Sequence, residues 1–312
     1  MEARVKTLVR RFRELPLVRE LKSLLRAGGR WRADLRESYV LKHPPPHELA
    51  IAAIFKNEAA NLDEWLRFHR GIGATQFYLY NNASTDDYLA ALRPWIDKRL
   101  VTLTQWPAAL AQRSAYMHCL RAHWRDARWI AFIDLDEFLF SPQAVDIRPI
   151  LRSYADLPAL YIYWTKFGSS GHMRRPAMPV VEAYLRREPL GLSDSGKSIV
   201  NPRYVRNVPN AHHFALWRGH TVDTLRRPTM SPRGPALPNC PPVYDVLRIN
   251  HYFFKSQEDL AAKVARGDAF YDASRDFERH LSGDRLANAE EDLTILAVWR
   301  DILRAEGVPL QE

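Results

Sequence analysis

Cysteine is nearly absent from the 312 residues: only Cys119 and Cys240 occur. Two thiols without metal-ligand spacing exclude a disulfide framework and a zinc site, and favour a reducing, cytoplasmic setting. Apolar runs are short too. None reaches the roughly 18 residues that a membrane-spanning helix needs, and the first residues carry no apolar signal core. No Gly-x-Gly-x-x-Gly or Walker lysine motif opens the first expected helix, which disfavours dinucleotide oxidoreductases and P-loop enzymes. Acidic side chains are outnumbered, with 36 Asp and Glu against 45 Lys and Arg. The length and a 46% hydrophobic content suffice for one large domain or two small ones.

The surplus of positive charge is concentrated. Residues 1–42 hold 12 Lys or Arg against 5 Asp or Glu. Val5, Leu8, Val9 and Phe12, then Val18, Leu21 and Leu25 after Pro16, recur at helical spacing, with Arg4, Arg11, Arg19, Lys22 and Arg26 mostly elsewhere. Such a leader suits a helix lying on an anionic membrane surface; a helix packed on the domain or a loose basic tail is the competing reading. Nucleic acid is not expected as a partner, because the leader lacks interleaved aromatics and the rest of the chain has no matching basic excess. The expected location is cytoplasmic, peripheral at the inner face of a membrane.

Pro44-Pro45-Pro46 ends the leader, so a basic segment 1–46 precedes a domain at 47–275, divided at about residue 140, and a helical segment 276–312. Leu49–Phe55 reads as a buried strand. Asn61 is an N-cap for a helix that stops at Gly71 or Gly73, and Gln76–Tyr80 is a second strand. The turn after it should cap the next helix through Ser84 or Asp86. Val101–Thr104, a helix from Leu110 to Trp124 and a strand at Trp129–Ile133 complete an alternating order, which calls for a mostly parallel sheet with helices on both faces. Tyr161–Trp164 reads as a further strand, and helices are expected at Ser256–Arg266 and Ala287–Leu303.

The fourth of these strands ends in Asp134-Leu135-Asp136-Glu137. Side chains two apart on an extended chain share a face, so both aspartates are expected to converge on one divalent cation, Mg2+ or Mn2+. Such an ion leaves positions open for phosphate oxygens and can absorb the charge of a departing diphosphate. Three polar clusters fall at successive strand tips: Lys56-Asn57-Glu58, Asn81-Asn82 with Asp86-Asp87, and the aspartate pair. In a parallel α/β sheet these tips share one rim, where ligands bind.

These residues, with Leu62–Leu66, His69, Phe77–Asp86 and Ile133–Phe138, resemble the glycosyltransferase family 2 and family 92-like enzymes of the GT-A fold. The likeness runs on through Trp164–His172, Lys197–Pro202, His212-His213-Phe214 and Asn250-His251-Tyr252, covering roughly residues 49–270. It implies an α/β domain with a Rossmann-like nucleotide half and an acceptor half. It also implies a nucleotide-sugar donor, UDP-activated, and a glycan or glycolipid acceptor of the kind used in polysaccharide synthesis. Under that resemblance Glu58 with Asn81 or Asn82 would hold base and ribose, beside Lys56, Asn57 and Asp86. Asn82 departs from the aspartate of many family 2 enzymes. Gln112 and Arg113 would face the nucleotide, Asp134 the ribose and metal, and Asp136 the metal. Glu137 would ligate the ion or orient a neighbour, and His251 would return to the metal, with His212 and His213 as competitors.

Trp164, Gly168, Ser169, Ser170 and His172 are expected near the sugar, and Lys197 or Arg203 near the diphosphate. Inversion, which the resemblance favours, needs a base on the acceptor hydroxyl. Asp223 lies at the distance along the chain that family 2 enzymes use, with Asp194, Glu182 and Asp245 as alternatives. Two other functions remain open: a haloacid-dehalogenase-like phosphatase, which also places Asp-x-Asp after a strand, and an inactive nucleotide-binding scaffold.

Overall fold

Successive residues of Leu49–Phe55 separate onto two faces, as an extended chain requires. Leu49, Ile51, Ala53 and Phe55 join one buried cluster, and Ala50, Ala52 and Ile54 join another. A strand apolar on both sides belongs inside a sheet covered on both faces, and β1 (His47–Phe55) lies there. On one face Leu62, Trp65 and Phe68 pack against it; on the other Ala115, Tyr116 and Leu120 do so.

The computed structural model describes residues 16–229, 241–266 and 277–308. Val5, Leu8, Val9, Phe12, Arg4 and Arg11 of the leader, and Cys240, lie outside them. Helix α1 (Pro16–Lys42) precedes β1, and α2 (Ala59–Gly71), β2 (Gln76–Asn81), α3 (Tyr88–Asp97), β3 (Val101–Gln105), α4 (Gln112–Ala122) and β4 (Ala127–Phe132) follow it. Then come β5 (Glu137–Phe140), α5 (Arg148–Arg152), β6 (Ala159–Lys166), α6 (Val180–Ala183), β7 (Arg186–Arg187) and β8 (Gly196–Val200). Short strands β9 (Val205–Asn207), β10 (Ala215–Leu216) and β11 (Thr221–Val222) lead to β12 (Arg248–His251) and α7 (Gln257–Arg266). The chain closes with α8 (Phe277–Ala287), β13 (Glu290–Glu291) and α9 (Thr294–Ala305).

Nine strands form one sheet in the order β3-β2-β1-β4-β8-β6-β12-β5, with β11 beside β6. The expected alternation through β4 is present, and β1 to β4 pair in parallel. Strand β8 then enters antiparallel between β4 and β6, and β5 runs antiparallel to β12. The sheet is therefore the mostly parallel α/β sheet anticipated from the sequence, continued by strands that run the other way. Two registers shape the rim of the sheet. Ala131 faces Ile199, which brings Lys197 to the carboxyl end of β4, and Glu137 faces His251. Gly196 makes the first possible, since a Cβ there would lie 2.1 Å from the Ile162 carbonyl oxygen.

Three local expectations change. Helix α2 begins at Ala59, so Asn61 lies inside it, where its amide donates to Glu58. Ser84 and Asp86 do not cap α3: Ser84 Oγ accepts from the Asn57 amide and Asp86 Oδ2 from the Ala59 amide. Their side chains thus reach across to the first strand tip and tie the two polar clusters together. The single helix expected over Ala287–Leu303 is interrupted by β13, which pairs with β7, and by Asp292, which Arg187 and Arg248 hold at 2.7 and 2.9 Å. Helix α9 then packs back on α2 through Trp299 against Phe68. Helix α1 buries Ala33 and Val40 on the domain and leaves Trp31 63% and Leu41 75% exposed.

Candidate active site

The turn after β4 carries Asp134, Asp136 and Glu137, and α2 fixes it. The Trp65 indole N–H donates to the carbonyls of Asp134 (3.1 Å) and Glu137 (2.9 Å), and the Asp134 amide donates back to Glu137 Oε2 (2.9 Å). His69, one turn further along α2, lies fully buried between Trp65 O (2.8 Å) and the Leu139 amide (3.1 Å). The Leu139 N–H needs Nε2 as an acceptor, so the ring is neutral with its proton on Nδ1. Burial depresses its pKa to about 3.

The two aspartates do not share one centre. Asp134 turns toward α4 and β8, where Gln112 Nε2 (2.9 Å) and Tyr116 OH (3.3 Å) donate to Oδ1 and Lys197 Nζ (2.7 Å) donates to Oδ2. Asp136 turns the other way. Its Oδ1 lies 3.6 Å from His251 Nε2, and its Oδ2 accepts from Lys263 Nζ at 2.5 Å. Glu137 sits between them, fully buried, with Oε1 3.7 Å from Lys197 Nζ and 3.9 Å from His251 Nδ1.

These neighbours set the charges. Burial alone would raise the Asp136 carboxyl, but the Lys263 ammonium and His251 outweigh it and hold the pKa well below the ordinary value. Glu137 goes the other way: burial raises it, Lys197 opposes, and the adjacent Asp134 and Asp136 anions add to the rise. Lys197 stays charged, because Asp134 and Glu137 outweigh the burial that would otherwise lower it. Burial lowers His251 despite Asp136.

Asp136, Glu137 and His251 can each offer one ligand atom, all within 4.8 Å of one another. Two of those side chains carry buried atoms without a hydrogen-bond partner, Glu137 Oε1 and His251 Nδ1. Two carboxylate oxygens and an imidazole nitrogen form a donor set that suits a hard to borderline divalent cation, so the residues present fit a metal. Beside them opens a cavity of about 350 Å3 whose walls include Asn57, Glu58, Asp136, Phe253 and Lys263. Strand tip one and the acidic centre thus meet in one space.

Other expected residues fall at varying distances. Trp164 walls the centre, its ring 4.5 Å from His251 and 5.9 Å from Lys197 Nζ. The Asn81 amide donates to Gln105 and accepts from the Ser84 N–H, and Asn82 donates to the carbonyls of Trp106 and Ala108, so both side chains hold strand-tip turns. Lys56 and Asp86 remain at the first two tips. Arg113 is exposed and donates to Val208 O. Gly168, Ser169 and Ser170 face the end of α8: Ser169 bonds Asp284, and the Ser170 amide donates to Asn288. His172 contacts Ala183 O. Of the competing histidines, His212 bonds Gly196 O, with burial lowering its pKa to about 4, and His213 stacks on Tyr161. Only His251 reaches the acidic pair. Asp223 is buried, takes an ion pair from Arg227 (2.6 Å), and follows β11 beside the amino-terminal half of β6, whereas the acidic centre lies by the carboxyl end of that strand. Asp194 and Asp245 are exposed, and Glu182 accepts from the Trp299 indole. Arg203 is buried with its guanidinium on the Tyr204 ring.

Sequence reasoning did not find Lys263 or Phe253, which nothing in local spacing marks. Gly191–Ser198 also spells the Gly-x-x-x-x-Gly-Lys-Ser spacing of a phosphate loop. Here it leads into strand β8 instead of a helix, and its lysine faces Asp134, so it forms no phosphate cradle of that type.

The sequence profile of glycosyltransferase family 92 matches residues 46–230. A glycosyltransferase family 92 protein of Ricinus communis is 29% identical over 259 residues, covering 80% of this chain and 43% of that protein. One of Oryza sativa subsp. japonica is 28% identical over 278 residues, covering 87% and 42%. The chain therefore spans less than half the length of these curated relatives. Among solved structures, residues 1–349 of S. aureus TarS align at 12% identity and a TM-score of 0.38, over 83% of this chain and 72% of that one.

Proposed function

The chain belongs to glycosyltransferase family 92, and from that premise we propose that it moves a sugar from a nucleotide-sugar donor, a UDP-sugar, to a glycan or glycolipid acceptor, at the centre formed by Asp136, Glu137 and His251. The observation that carries this reading is the pair of buried ligand atoms, Glu137 Oε1 and His251 Nδ1, that make no hydrogen bond, beside the cavity that Asn57, Glu58 and Asp136 line. Asp136, Glu137 and His251 would hold the ion. A mixed oxygen and nitrogen set suits Mn2+ better than Mg2+. When bound, the cation supplies positive charge to the oxygens of the departing nucleoside diphosphate.

The remaining work falls to the chain itself. Trp65 and the Asp134–Glu137 hydrogen bond fix the acidic turn before any ligand arrives, which is the preorganisation that electrostatic catalysis needs. Lys197, itself held by Asp134, keeps a fixed positive charge next to Glu137 and 5.9 Å from the centre of the Trp164 ring. Glu58 and Asn57 offer polar atoms to the donor from the first strand tip. Inversion at the anomeric carbon is carried over from the family resemblance, and proton NMR of the first-formed product tests it. An anionic membrane surface is the proposed partner of the basic leader, supported by the exposed Trp31, Leu35 and Leu41 on α1.

Titration calorimetry with UDP, GDP and dTDP, each with and without Mn2+, tests the reading. One nucleoside diphosphate should bind much more tightly with the ion, and the matching nucleotide sugar should be turned over. Binding that ignores Mn2+ for all three, or hydrolysis of simple phosphoesters instead, would remove it.

A further inference from the structure

Helix α7 begins under firm restraint. The Gln257 and Glu258 amides donate to His172 O and Met173 O, Ser256 Oγ and Arg175 Nε hold Asp259, and Tyr184 OH reaches the same carboxylate. Lys263 follows Asp259 by four residues and so lies one turn on along the same side. Its ammonium sits 2.5 Å from Asp136 Oδ2, donates to Phe253 O at 3.1 Å, and lies 3.8 Å over the Phe253 ring.

That position conflicts with a divalent ion. A cation bound to Asp136, Glu137 and His251 would approach an Asp136 oxygen to about 2.0–2.2 Å; Oδ1 is the one on the His251 side, and the ammonium lies on Oδ2 of the same carboxylate. Two positive centres so close repel strongly in a buried setting. A flexible four-carbon stem with a compact charge is also the cationic side chain best able to leave and return.

We propose that Lys263 is the tethered counter-ion of the ion-free centre: it neutralises Asp136 in place and must withdraw when a divalent cation enters, so that cation uptake displaces the side chain and loosens the last turns of α7. It is a positioning residue, and it sets how tightly the centre holds its ion. The inference rests on the metal reading above and assigns a residue that the reading does not need.

Mn2+ alone is the probe, titrated into the full chain without nucleotide and read by calorimetry and by the electron-spin signal of free Mn2+. Lys263→Met keeps length and apolar contact but removes the charge, and should bind Mn2+ at least about tenfold more tightly, since the pair relieved is largely buried. Lys263→Arg, which keeps the charge on a side chain less able to leave, should bind Mn2+ no more tightly than wild type. Amide exchange in residues 260–266 should quicken when Mn2+ is added to the wild type, and should already be fast in Lys263→Met without it. Wild-type binding of Mn2+ with equal or weaker binding by Lys263→Met overturns this inference and leaves the metal reading standing. No Mn2+ binding by either protein overturns both.

Discussion

His69 offers the sharpest quantitative test of how the acidic turn is held. Its ring is buried and neutral, accepting from the Leu139 amide and donating to Trp65 O, and its pKa is depressed from 6.5 to about 3. The state that binds the extra proton sets the sign of the linkage. Between pH 6.5 and pH 3 the unfolded chain takes up a proton at this histidine and the folded chain does not, so stability falls as pH falls through that window. Using those two values, the loss at pH 5 relative to pH 7.5 is about 2 kcal/mol from this one group. His69→Gln retains polar atoms but cannot titrate. It should cost some stability at neutral pH and remove most of that pH dependence. Urea unfolding of both proteins at pH 7.5 and pH 5 measures the difference of differences, which cancels every other titrating group. Equal pH responses would refute the buried, neutral histidine.

Asp136→Ala and Glu137→Gln should each lose Mn2+-dependent binding of the nucleoside diphosphate while keeping a wild-type circular dichroism spectrum; retained dependence would contradict their role. Lys197→Met leaves Asp134 and Glu137 without their buried cation, so it should destabilise the fold by about 3–5 kcal/mol, and Asp134→Asn added to it should recover part of that in thermal unfolding. Burial would raise the Asp292 carboxyl, but Arg248, the Thr294 hydrogen bonds and Arg187 outweigh it and hold the pKa at about 2, below its ordinary 3.8, so its stabilisation is nearly complete above pH 4 and lost toward pH 2. Asp292→Asn should therefore be less stable by roughly 2 kcal/mol at pH 7 and should flatten the acid limb of the stability curve. Deleting residues 1–42 should weaken co-sedimentation with vesicles rich in anionic lipid and spare turnover on a soluble acceptor; unchanged sedimentation would remove the membrane partner.

The sheet through β4 was legible because strands buried on both faces read as short apolar runs, as Leu49–Phe55 and Trp129–Ile133 do. The acidic turn was legible for the same reason, since it interrupts such a run. What became of the two aspartates was not. Asp134 meets Lys197 only because β8 returns antiparallel beside β4, and no periodicity at Gly196–Val200 announces a neighbour 63 residues away. Lys263 lies 127 residues from Asp136 on an ordinary amphipathic helix. The choice of His251 over His212 and His213 rested on a register, Glu137 opposite His251, that the chain does not spell out locally. Turn chemistry misled at Ser84 and Asp86, because a side chain that can cap its own helix can equally reach the amides of Asn57 and Ala59 across a rim. The break between α8 and α9 follows from tertiary pairing of β13 with β7, which outweighs helical propensity in that stretch.

Gly196 has a reach out of proportion to its size. It lies where one backbone crosses against another, with Ile162 O filling the room that even a methyl group would require, and Lys197 is its immediate successor. A bulkier residue there would wedge two neighbouring strands apart and carry the lysine away from both acids it serves. Any side chain added at this one position is therefore felt at the acidic centre, through the backbone that carries the lysine.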